Sequence, residues 1–74
     1  MIAHFINPQK SGGFKYYDLL LIEDDIIVYR FQLGFNFGED NIAMESEANR
    51  ILDSLDNTKT ITQVIIDIPD SWQF

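Results

Sequence analysis

His4 is the only histidine of this chain, and its 74 residues include no cysteine. Nucleophilic catalysis would therefore fall to Ser, Thr, Tyr or a carboxylate, with His4 as the one side chain that ordinarily titrates near neutral pH. A base and nucleophile need a second group held within hydrogen-bond reach. Within Ile2-Ala3-His4-Phe5-Ile6 the imidazole shares a strand face with Ile2 and Ile6 and has no polar partner. A structural or simply exposed role is the reading for His4.

Two acidic groups, Glu23-Asp24-Asp25 and Glu39-Asp40, offer the oxygen ligands that Ca²⁺ or Mg²⁺ prefer. Neither has the alternating Asp/Asn positions, central glycine and closing glutamate of an EF-hand loop. Turn formation and helix capping account for both. A carboxylate pair for glycoside cleavage would need a groove between its members, which a chain of this size has little material to build. Lys10-Ser11-Gly12-Gly13 is basic and glycine-rich, but a phosphate loop runs from glycines into Lys and Ser/Thr at a helix start, and here the order is reversed and a strand follows. No catalytic residue, metal site or cofactor is expected, and the chain does not read as an enzyme.

Charge is the stronger signal. Twelve acidic residues against five basic ones give a formal net charge of −7. A field of this sign steers the protein toward basic surfaces and opposes direct contact with nucleic acid or anionic membranes. Tyr16, Tyr17, Tyr29 and the phenylalanines could stack bases, but single-strand binders set such rings beside a positive groove. These aromatics are expected in the core.

The elements that must position these residues follow from periodicity. Ile2 to Ile6 reads as a strand and Asn7 to Gly13 as a loop. Phe14 to Ile22 and Ile26 to Phe37 form a β-hairpin around Glu23-Asp24-Asp25. In its second arm Ile27, Tyr29, Phe31, Leu33, Phe35 and Phe37 alternate onto one face, which should meet the core. A two-residue turn would set Asp18 opposite Phe31. A shift by one residue instead puts Tyr17, Leu19 and Leu21 on the core side, with Asp18 near Arg30 and Gln32, and a three- or five-residue connection would supply it.

From Asp40 to Leu55 the spacing of Met44, Ala48, Ile51, Leu52 and Leu55 predicts one amphipathic helix. Asp40 caps its start and Asn57 is suited to close it in the left-handed conformation. Thr60 to Ile68 is a last strand, ended by Pro69. The order β-β-β-α-β predicts an α+β fold spanning residues 1–74 as one domain: a small antiparallel sheet with the helix packed on one face and the other face open. Phe31, Leu33, Ile51 and Leu52 are expected in its core.

On the non-core face of the hairpin, Tyr16, Leu20, Ile22 and Val28 lie beside Asp18 and Arg30, an apolar centre with a charged edge that suits an interface. Trp72 and Phe74 would cover that face or anchor a partner. The N-terminal stretch lacks a basic, apolar leader, and the longest apolar run, Leu19 to Ile22, is too short to span a bilayer, so a cytoplasmic location is expected.

In size and charge the chain resembles immunity proteins against toxic nucleases and phage-encoded anti-defence inhibitors of the anti-CRISPR type. The resemblance implies a small acidic protein that occupies the basic, nucleic-acid-binding surface of a partner protein or complex. Candidate contacts are Asp24, Asp25, Glu45, Glu47, Asp53 and Asp56, with Tyr16, Leu20 and Trp72 as apolar anchors. The alternative is a non-enzymatic structural or assembly domain that forms a homodimer through its hairpin face or a sheet edge.

Overall fold

In a computed structural model that describes residues 1–72, four strands form one sheet in the order β3-β2-β1-β4. The strands are β1 (Ile2–Ser11), β2 (Phe14–Glu23), β3 (Ile26–Asn36) and β4 (Gln63–Ile66), and the helix α1 (Asn41–Leu55) lies between β3 and β4 in the chain. The fold is α+β with the helix across one face. The expected role of Phe74 lies outside the described residues.

β1, β2 and β3 are antiparallel neighbours, and β4 joins β1 in parallel. The sheet is mixed for a topological reason: α1 carries the chain back from the β3 edge over β2 and β1, so β4 starts from the same end as β1. Ala3 and Phe5 of β1, Tyr17, Leu19 and Leu21 of β2, Phe35 of β3, and Met44, Ala48, Ile51 and Leu52 of α1 make one buried cluster. Each large apolar side chain buried there contributes about 1.5–3 kcal/mol. Phe5 meets Tyr17 and Phe35 edge to face, with ring centres 5.8 and 6.1 Å apart.

Ile51 and Leu52 are buried as expected, whereas Phe31 and Leu33 are only half-buried and Leu55 is exposed. A single helix cannot cover four strands, and β3 is the uncovered edge. The helix starts as the sequence implies, with the Asp40 carboxylate accepting from the Ala43 amide at 2.9 Å. Its end differs from expectation. Asp56, in extended conformation, is the C-cap, and its carboxylate accepts from the Thr58 amide at 3.0 Å, so this local turn replaces a left-handed Asn57.

β1 is longer than its sequence suggests. Asn7, at φ 54°, sits in an irregularity between Ile6 and Gln9 that absorbs one residue, after which Lys10 pairs with Lys15. Pro8 is tolerated because β4 pairs β1 only as far as Phe5, leaving the rest of that flank without a neighbouring strand among the described residues. Gly12, at φ 60°, then begins the two-residue reversal into β2. The regular part of β4 is shorter than Thr60 to Ile68.

The β2-β3 hairpin turns the expected side chains to the core and sets Asp18 beside Gln32, with Tyr17 opposite Leu33 and Leu19 opposite Phe31. The device that produces this register is different. The connection is a two-residue turn, with Asp24 and Asp25 both at positive φ, 52° and 62°. Val28 is the extra residue of a bulge, since Ile22 pairs with Ile27 but Leu21 pairs with Tyr29. The bulge switches parity, so Ile27 pairs with Ile22 on the non-core face and is exposed instead of joining the odd-numbered core face. Deleting Val28 is therefore expected to straighten the ladder while keeping Leu21 opposite Tyr29 and Ile22 opposite Ile27. Cross-strand nuclear Overhauser contacts check this, and pairing of Leu21 with any other residue would contradict it.

Candidate functional site

The hairpin tip and the end of α1 come together at one end of the molecule. The Lys59 ammonium lies 2.8 Å from the Glu23 carboxylate. Asp56 and Asp24 also act on it, so that Lys59 is held above the usual lysine range, first by its hydrogen bond to Glu23 and then by these neighbouring charges. Asp53 and Lys59 line the same shallow hollow beside Arg50 and Thr60. Glu23, Asp24, Asp53 and Asp56 thus gather around one lysine, with the Met1 ammonium nearby on the Thr60 carbonyl at 3.1 Å. Sequence separation hides this cluster, because the hairpin and helix contributions lie some thirty residues apart (Glu23 to Asp53).

The other candidate residues are spread. Glu45 is exposed near the start of α1, and Glu47 is half-buried against Arg50, which holds its carboxyl below the usual range. Tyr16 is exposed on the non-core face, its ring across Gly34, where a Cβ would come within 3.0 Å of Tyr16 Cε1. Leu20 is 7% exposed on that face and offers little contact area. Trp72 does not turn to the non-core face. It packs on the helix side, edge to face with Phe37 and Tyr17 at 5.3 and 6.1 Å between ring centres.

His4 has a partner that sequence proximity could not reveal: its Nε2 lies 2.9 Å from Asp67 Oδ1, across 63 residues. β4 beside β1 places Asp67 there, with the Asp67 amide donating to the Phe5 carbonyl at 3.0 Å. The Tyr17 hydroxyl donates to the Asp67 carbonyl at 3.0 Å, and burial followed by the Asp67 charge pushes this phenol up. Asp67 is the only hydrogen-bond partner of the imidazole among the described residues, so no hydroxyl nucleophile stands ready beside it.

A cleft of about 680 Å³ is lined by Asn7, Gln9, Tyr16, Asp18, Gln32 and residues adjoining them in the chain. Asp18 is its most buried polar residue, at 8% exposed. Its Oδ2 accepts from Asn7 Nδ2 at 2.8 Å and from Arg30 at 2.9 Å. These bonds, Asn7 first and then Arg30, hold the Asp18 carboxyl below the usual range. The carboxylate is occupied in tying the β1 irregularity to the edge strand and is unsuited to act as a base. Among the described residues, no three His, Cys, Asp or Glu side chains are grouped to hold a metal ion, and no helix is long and apolar enough to cross a membrane.

Because the folded pKa of Asp18 is depressed, its contribution to stability is full above the unfolded carboxylate value, about 4, and is lost as pH falls through the folded value. Asp56 and Glu47 act in the same direction. The melting temperature is expected to hold between pH 5 and 7 and to fall below about pH 4. Asp18→Asn should flatten part of that acid limb, and an unchanged limb in thermal melts across the range would contradict the assignment.

No family model, characterised protein or solved structure matches this chain.

Proposed function

We propose that the chain is a non-enzymatic binding protein whose acidic end occupies the basic, nucleic-acid-binding surface of a partner protein. The observation that carries this reading is the convergence of Glu23, Asp24, Asp53 and Asp56 around Lys59. The basic residues are taken up internally. Arg30 pairs with Asp18, Arg50 with Glu47 and Lys59 with Glu23, while Lys15 donates to the Glu39 carbonyl and Lys10 lies over the Phe37 ring. The −7 charge already counts these five residues, so a positive surface is attracted from a distance and oriented toward the acidic end.

The mechanism is competition: carboxylates take the positions that phosphates would hold on the partner. Capture from a host lysate on the immobilised chain, elution along a salt gradient and mass spectrometry test it. A supporting result is a protein with a basic nucleic-acid site that elutes as salt rises and that loses nucleic-acid binding when the chain is added. Partners that resist salt and carry no basic surface would overturn the reading.

A further inference from the structure

We propose that β3 pairs with β3 of a second copy, antiparallel about a twofold axis through Phe31 and perpendicular to the sheet, joining two four-stranded sheets into one. The inference stands independently of the acidic-end reading.

The two edges of the sheet are built differently. At the far edge, β4 has only four residues and runs toward Pro69, and the flank of β1 beyond Phe5 carries Pro8 and the Asn7 irregularity. Short strands, proline and bulges are the usual means of keeping an edge from pairing. β3 has none of this protection over most of its eleven residues. Its bulge is confined to Val28 near the tip, and no proline or carboxylate occurs from Ile26 to Asn36. In a chain of net charge −7, this is a long neutral border along which two copies can approach. Its one charge, Arg30, is held by Asp18 of the adjacent strand.

Tyr29, Phe31 and Leu33 are half-buried because α1 stops short of this edge. A twofold axis perpendicular to the sheet keeps both helices on the same side and sets Tyr29 against Leu33 of the second copy and Phe31 against its own equivalent. These are the aromatic and aliphatic cross-strand pairs that stabilise sheets.

Charge selects this register. Opposed residues must share a face, so registers differ in steps of two residues. One step in one direction sets Arg30 against Arg30 of the second copy. One step in the other, counted through the Val28 bulge, brings the Asp24-Asp25 turn against Gly38 and the acidic Glu39. In the register centred on Phe31, Arg30 meets Gln32, and because the Val28 bulge takes up one residue, the Asp24-Asp25 turn arrives beside Phe37 and Asn36 of the second copy. Lys10 is there, its ammonium 4.3 Å from the Phe37 ring centre and without a carboxylate partner among the described residues. Each end of β3 therefore supplies the charge that the other end attracts.

Sedimentation of the full chain over a range of concentrations should give a mass rising from 8.6 kDa to twice that value. The absence of cysteine makes the register readable by cross-linking. Arg30→Cys mixed with Gln32→Cys should oxidise to a disulfide-linked dimer, since opposed Cβ atoms lie about 4.5–5.5 Å apart, while each variant alone should stay unlinked. Lys10→Glu, at an exposed position, should raise the dimer dissociation constant about 2- to 10-fold. A monomer at every concentration overturns the proposal. So does a dimer in which Gln32→Cys or Arg30→Cys links to itself, in which the mixture fails to link, or in which Lys10→Glu has no effect.

Discussion

Phe5→Ala is expected to unfold most of the protein at room temperature, with a loss of about 3–5 kcal/mol. Phe5 is fully buried on a strand flanked on both sides, and its ring meets Tyr17 and Phe35. Neighbours locked edge to face cannot collapse into the space it leaves, so the cavity cost adds to the lost transfer energy. A domain of this size has only about 3–5 kcal/mol to lose. Phe31→Ala should cost less, about 1–3 kcal/mol, because Phe31 lies on the edge strand and is half-exposed before it is removed. Urea denaturation of both variants checks the ranking. A Phe31 variant less stable than the Phe5 variant would mean that the edge is covered in solution, which is the consequence of β3 pairing with a second copy at the concentration used.

The contrast between these two phenylalanines marks what was legible in the sequence. Period two along Tyr29 to Phe35 identifies the inward face, and period 3.6 along Met44 to Leu52 identifies the helix and its buried stripe, because each pattern reports local geometry. How deep each residue lies is set by strand order, which is not local. Nothing in β3 itself says that it is the edge. The register of the hairpin follows from the cost of burying Asp18 against Phe31, but that argument does not distinguish a longer loop from a bulge. The two-residue turn with a bulge at Val28 is the solution adopted, as Asp24 and Asp25 tolerate positive φ. The pairing of His4 with Asp67 and the grouping of Asp53 with Glu23 around Lys59 depend on where β4 and the loop before it settle, so no spacing in the chain could disclose them.

Reversing charge at the acidic end, with Asp24→Lys and Asp53→Lys together, is expected to slow association with a basic partner about 10- to 100-fold at low salt. Both carboxylates are exposed, and neither accepts a hydrogen bond from a described residue; Lys at the positive φ of Asp24 costs the turn about 1–2 kcal/mol, whereas a change at Asp56 would remove the bonds that close the helix. Glu45→Lys supplies the comparison. It changes the same kind of charge on the same helix, but eight residues earlier, about 12 Å along the axis, which exceeds the screening length of about 8 Å in physiological salt. Its effect should be several-fold smaller. Stopped-flow association of the captured partner, measured against ionic strength, should give a shallower salt slope for the double variant than for Glu45→Lys. Equal slowing by both would mean that net charge alone steers the encounter and that the convergence around Lys59 has no special part in it. Unchanged rates in both, with a faster dissociation in Tyr16→Ala, would transfer the binding site to the non-core face of the sheet.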